Sequence, residues 1–266
     1  VYTKAGTTVT IYRSLKKHLQ AFSEARRFPI TFDRITAQFD DKLRGYFLSD
    51  LKLTNNTIAK YIRNLKTFMG WAQERGYHSQ LDYLRFKSRE KDKEVYALTK
   101  DELMTIYNAE IPDGRLARVR DVFCFACFTG VRYSDVADMQ REDIHDDLLH
   151  VTVRKTKETL KIPIISFAQN ILERYSEDNK PLPVISDQKT NAYLKELGQS
   201  LGIDTKVRRI YHRGSEVIEE WVPKYQVLTF HMARKTFVTL SLILGMSETV
   251  VKQISGHKKD SSFRKD

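Results

Sequence analysis

The sequence predicts a mainly α-helical protein of α+β class, in which helices carry two cores and small β-hairpins interrupt only the second half. Three observations predict it. Apolar residues recur at three- and four-residue steps through residues 7–75 with no alternating run among them. A charged tract, Lys87-Ser-Arg-Glu-Lys-Asp-Lys-Glu94, then breaks the pattern. Beyond it the helical periods resume, now separated by pairs of β-like runs. A length of 266 residues with 41% hydrophobic content suits two domains, divided as 1–86, a linker at 87–95, and 96–266.

The first helix is expected from Thr7 to Ala25, where Val9, Tyr12, Leu15, Leu19 and Phe22 form the apolar stripe and Arg13, Lys16 and Lys17 stand between them. A second runs over Ile35–Ser49 through Phe39, Leu43 and Phe47. A third starts after Thr54-Asn-Asn56, passes Ile58, Ile62, Leu65, Phe68, Met69 and Ala72, and stops at Gly76. It carries Lys60, Arg63 and Lys66. This bundle has no Gly-rich loop and no cluster of catalytic types, so it reads as a binding module.

After the linker, Thr99-Lys-Asp-Glu102 has the form of a capping box, with Leu103, Ile106 and Tyr107 on one face of the helix it opens. The next helix, Arg115–Phe128, is apolar through Val119, Val122, Phe123, Ala126 and Cys127 and is broken by Thr129-Gly130, so that Arg132 emerges just past the break. Ser134 is placed to cap a short helix carrying Asp135 and Val136. Leu149–Arg154 and Thr159–Ile164 read as a hairpin whose tip, Lys155-Thr-Lys-Glu158, holds Lys155 and Lys157. Helices follow at 166–175 and 190–201, then a second hairpin between Lys206 and Trp221 with Gly214 near its turn. A helix from His231 to Gly245 and a short one from Ser247 to Ser255 complete the chain, and Gly256-His257 closes the last helix.

Composition narrows the function classes. The formal charge is +11, and residues 1–95 hold 19 Lys and Arg against 10 Asp and Glu, a surplus of +9 that leaves only +2 for the rest. Such a front half suits an anionic polymer, DNA or RNA, better than a membrane, since no run approaches the ~20 apolar residues of a span. Cys124 and Cys127 form a C-x-x-C, but no second ligand pair stands at zinc spacing and their neighbours are apolar, so they are read as core. No signal peptide or disulfide framework is evident, so the chain is expected to be cytoplasmic; the start at Val1 points to a fragment or processed chain. No cofactor and no metal is expected.

The chemistry concentrates in isolated basic residues at breaks. His231 and Arg234, three apart, leave one helix face, and together they suit a phosphate, although an exposed arginine beside a capping histidine would give the same spacing. Arg132, Lys155 and His257 stand at comparable breaks, and Asp135 is placed to orient Arg132, unless it is only a helix-start charge. Fixed positive charge without a metal-ligand cluster points to phosphoryl transfer run by arginines.

Thr129-Gly-Val-Arg132-Tyr-Ser-Asp135, Lys155 eight residues before Pro163, His231-Met-Ala-Arg234 and Ser255-Gly-His257, in that order, resemble the tyrosine recombinase (phage integrase) family over residues 96–266, and the front helices resemble its helical SAM-like core-binding domain. The resemblance implies a tyrosine-recombinase catalytic domain in which Arg132 and Arg234 hold the scissile phosphate, Lys155 rather than Lys157 protonates the leaving 5′ oxygen, His231 handles a proton, and His257 hydrogen-bonds the phosphate. Arg13, Lys16, Lys17, Lys60, Arg63, Lys66 and Lys157 would then contact DNA. It further implies double-stranded DNA held in a clamp, a dimer on one site, a tetramer around a Holliday junction, and a bacterial, DNA-bound setting. The Lys206–Trp221 hairpin resembles an insertion in integrases of conjugative transposons, so a mobile-element integrase is expected.

One position departs from the pattern. The family's nucleophilic tyrosine follows the Gly-His pair by nine residues, and Asp266 stands there. A carboxylate is short for the task and its charge opposes attack on a phosphodiester, so this chain is expected to bind DNA without covalent cleavage. The aspartate reads as a replacement of the tyrosine, an altered terminus, or the mark of an inactive natural homologue. Two rivals stand beside the integrase reading: a non-catalytic DNA-binding protein that keeps the fold, and a type IB topoisomerase-like enzyme.

Overall fold

A computed structural model describes residues 6–92, 94–152, 159–257 and 263. The chain forms two compact units, residues 1–93 with 210–220, and residues 94–209 with 221–266. The architecture is mainly helical with two small antiparallel sheets.

The first unit contains α1 (Gly6–Arg26), α2 (Ala37–Ser49) and α3 (Asn55–Glu74). Phe22, Phe39, Leu43, Phe47, Ile62 and Met69, all on the expected stripes, are fully buried. Phe22 meets the Phe39 ring edge-on at 5.7 Å, a favourable quadrupole arrangement. The third helix starts earlier than its sequence implies: Thr54 is the N-cap and its side chain accepts the Thr57 N–H, which places both asparagines inside the first turn. Their amides are used elsewhere. Asn55 exchanges two hydrogen bonds of 2.8 Å with the backbone of Gly214, and Asn56 exchanges bonds of 2.8 and 2.9 Å with the backbone of Lys91. Each asparagine thus acts as a short piece of sheet edge, tying a remote segment to the start of α3.

The second unit opens with α4 (Lys100–Asn108), whose Thr99/Glu102 capping box forms in full. Next comes α5 (Gly114–Thr129), buried over most of its surface from Leu116 to Thr129, against which α4 and four later helices pack. A helix buried to this extent belongs at the centre of a core, and this one is the axle of the unit. Gly130 ends it in the left-handed region at φ 70°, and a Cβ there would lie 2.5 Å from the Phe237 ring, so only glycine fits. Then α6 (Tyr133–Asp138) begins one residue before Ser134; its N-cap is Arg132, and Ser134 instead meets the Asp135 carboxylate at 3.2 Å. The expected serine cap does not form, and Asp135, three residues past Arg132, accepts the Arg132 N–H instead, as the N3 residue of a capping box does.

A three-stranded antiparallel sheet follows, β1 (Ile144–His145), β2 (Leu148–Thr152) and β3 (Thr159–Pro163), with Leu149 facing Ile162 and both buried. The tiny β1 was not legible, having only two residues. Residues 153–158, and with them Lys155 and Lys157, lie outside the described residues. The remaining elements are α7 (Ser166–Glu173), α8 (Asp187–Ser200), the hairpin β4 (Lys206–Arg213) and β5 (Glu216–Pro223), α9 (Phe230–Ile243) and α10 (Glu248–Ser255). Two buried ionic clusters fasten the unit. Lys224 meets Glu102 Oε2 at 2.7 Å, and Asp121 accepts from Arg120, Arg174 and Tyr175 at 2.8, 2.7 and 2.7 Å. Cys124 and Cys127 are free and buried, and burial pushes both thiols well above their ordinary range, as core residues rather than reactive ones. No helix among the described residues is long and apolar enough to cross a membrane.

Candidate active site

The left-handed turn at Gly130 aims the end of α5 at α9. Arg234, in the second turn of α9, is 3% exposed, and its Nη1 donates to the Gly130 carbonyl at 2.9 Å. That carbonyl is one that the helix end would otherwise leave without a partner. A buried guanidinium stays charged, and here its orientation is fixed from behind by backbone. Its Nη2 lies 3.1 Å from both ring nitrogens of His257.

His257 is brought back to this point by a second left-handed glycine. Gly256 caps α10 at φ 65°, and a Cβ there would approach Leu160 of β3 to 2.7 Å. The close fit seats the end of α10 on β3. The His257 ring is further held by Ser255 Oγ, 2.7 Å from Nδ1, and by the Phe263 ring, edge-on at 5.4 Å.

Arg132 sits two residues beyond Gly130. Its guanidinium is 38% exposed and 3.8 Å from the Asp135 carboxylate, while Asp135 also accepts the Arg132 backbone N–H at 3.3 Å. At 3.8 Å the contact is an ion pair without a short hydrogen bond, so Asp135 steers the arginine and leaves most of its donors for another anion. His231 occupies the first turn of α9 and is exposed, although Arg234 on the same helix is buried. The structure therefore brings together Arg234, His257 and the turn leading to Arg132, and places His231 at the solvent edge of the same helix. Lys155, Lys157 and Asp266 fall outside the described residues.

Among the residues expected to contact a nucleic acid, Arg13, Lys16, Lys17 and Lys60 are exposed on α1 and α3. Two others have partners of their own. Arg63 pairs with Glu90 at 2.6 Å, and Lys66 donates to the Leu84 and Phe86 carbonyls at 2.9 Å each. Both fasten residues 84–90 along α3.

Sequence reasoning missed Ser255 and the Gly130 carbonyl as supports of the site. The signal for the first was present in Ser255-Gly-His257: a serine in the last turn of a helix, followed by a left-handed glycine, faces the residue two places on. Nothing local marks the second, because it depends on where α9 packs.

Residues 97–265 match the Phage integrase family, and residues 2–89 match the Phage integrase SAM-like domain. No curated protein sequence matches the chain. Among solved structures it is similar to a lambda integrase dimer bound to a COC' core site, with 19% identity, a TM-score of 0.74, and coverage of 98% of this chain and 91% of that one. A lambda integrase tetramer bound to a Holliday junction gives the same identity and TM-score over 98% and 72%. The Tn1549 transposon integrase in complex with circular intermediate DNA matches at 17% identity and a TM-score of 0.68 over 98% and 89%. At these identities the likeness is one of fold.

Proposed function

Since the chain belongs to the phage integrase family, we propose that it is a site-specific DNA recombinase of a mobile element, whose parent activity cuts and rejoins strands through a 3′-phosphotyrosine link. The buried Arg234 guanidinium, held by Gly130 and laid against His257, is the observation that carries this reading. Phosphoryl transfer asks for fixed positive charge where the non-bridging oxygens gather charge in the transition state. Arg234 and Arg132 supply it, one locked from behind and one steered by Asp135. His257 hydrogen-bonds the phosphate, His231 handles a proton at the solvent edge, and Lys155 protonates the leaving 5′ oxygen.

Double-stranded DNA is the substrate, with dimers on one site and a tetramer on the junction, in keeping with the assemblies of the similar integrases. Residues 1–86 act as the core-binding domain and 96–266 as the catalytic domain. The long β4–β5 hairpin supports the mobile-element assignment. With Asp266 at the nucleophile's place, this chain binds its site and leaves it uncut. That same residue favours the second reading, a DNA-binding protein without chemistry.

Selection of bound duplexes from a random-sequence pool yields the site. Nicked copies of it, incubated with the chain and with its Asp266→Tyr form, should give a covalent protein–DNA band on a denaturing gel in the tyrosine form alone. Tight binding with no band in either form would favour the second reading.

A further inference from the structure

Ser255, the last residue of α10, is 1% exposed. Its hydroxyl donates to the Val251 carbonyl one turn back, at 2.5 Å, the usual back-bond of a helical serine. A hydroxyl carries one proton. With that proton committed, the same Oγ, 2.7 Å from His257 Nδ1, can only accept, so Nδ1 must carry a hydrogen. The Arg234 contact is compatible with this, its equal distance to both nitrogens leaving the choice to Ser255. A guanidinium N–H only donates, and of the two ring nitrogens 3.1 Å from Arg234 Nη2, only one without a hydrogen can accept from it. That nitrogen is Nε2.

We propose that Ser255 is a positioning residue which fixes His257 as the Nδ1–H tautomer and so makes Nε2 the ring's proton acceptor. The consequence for the site rests on the function proposed above. A neutral His257 wired this way offers Nε2 as an acceptor, and donates to a phosphate oxygen from Nε2 only after that nitrogen takes a proton from solvent. Phosphate binding and proton uptake at His257 are then one event. Among the described residues, the charged groups facing the ring are Arg234 from α9 and, beyond the Phe263 ring over which its ammonium sits at 5.0 Å, Lys252 from α10, itself paired with Glu248. Arg234 opposes a charged imidazole, and an arriving phosphodiester anion offsets it.

Long-range proton–nitrogen correlation spectra of nitrogen-15-labelled protein test this, recorded about two pH units above the ordinary histidine pKa of about 6.5. His257→Gln identifies the His257 signals by their loss. In the unaltered chain Nδ1 should resonate as a protonated, pyrrole-type nitrogen and Nε2 as a bare, pyridine-type one. Ser255→Ala should shift the ring towards the Nε2–H form or a mixture, and Ser255→Thr, which keeps the hydroxyl, should restore the original pattern. An Nε2–H ring in the unaltered chain overturns the proposal by itself, whether or not the variants fold, and so does a Ser255→Ala spectrum that does not change. Adding the selected duplex at the same pH should move Nε2 to the protonated type. If Nδ1 is protonated as expected and Nε2 ignores the duplex, the Ser255 assignment stands and the phosphate role of His257 is wrong.

Discussion

Arg234 donates from Nη1 to the carbonyl of Gly130 at 2.9 Å, joining the buried second turn of α9 to the residue that caps α5, 104 positions earlier. The bond holds the guanidinium with its Nη2 against His257. It also makes Gly130 a residue with two duties, a left-handed turn and an anchor.

Gly130→Ala should therefore be costly. The substitution forces a side chain into the left-handed region and into the Phe237 ring. A loss of about 2–5 kcal/mol in denaturant-derived stability is expected, from about 1–2 for the backbone and about 1–3 for overpacking.

Arg234→Lys keeps the charge but cannot both reach the Gly130 carbonyl and present a planar fork to a phosphate. In the Asp266→Tyr background it should lower the rate of covalent adduct formation by about 10²-fold or more, as measured by quenched time courses at saturating DNA. A change within threefold would show that the fork geometry is not used.

The exposed and the paired cations of the first unit should behave differently. Arg13→Ala, Lys16→Ala or Lys17→Ala should each reduce the slope of log binding constant against log salt by about 0.9 where the side chain meets a phosphate. Arg63→Ala and Lys66→Ala should change that slope little, because their partners are Glu90 and backbone carbonyls, and should appear instead as lost thermal stability.

Lys224→Met breaks a nearly buried ion pair and leaves the Glu102 carboxylate with the Thr99 N–H, the Thr205 hydroxyl and no cation. A destabilisation of about 3 kcal/mol is expected, read from equilibrium unfolding, because the uncompensated buried charge costs more than the pair contributes.

Much of the fold was legible because its elements are strongly periodic. Phe22, Phe39, Leu43, Phe47 and Ile62 fell on predicted stripes and are buried, and the Thr99 capping box formed as written. The misreadings were local. Asn55 and Asn56 looked like a loop, yet they serve in the helix because their amides bind segments far away in sequence. Ser134 looked like a cap, but the helix starts one residue before it, with Arg132 as its N-cap and Asp135 accepting the Arg132 N–H. At the site, helical spacing set His231 and Arg234 about 60° apart around α9, following from about 100° per residue. It could not say that the boundary between core and solvent passes between them, since that depends on α5 packing against α9.

The most direct measurement is to locate and orient the adduct of the Asp266→Tyr form on nicked duplexes labelled at one end or the other, followed by peptide mapping. A link from residue 266 to a 3′ phosphate, lost in Arg132→Ala and Arg234→Ala, is the expected result. A link through a 5′ phosphate or through another residue, or adduct formation that survives loss of both arginines, would contradict the proposed mechanism.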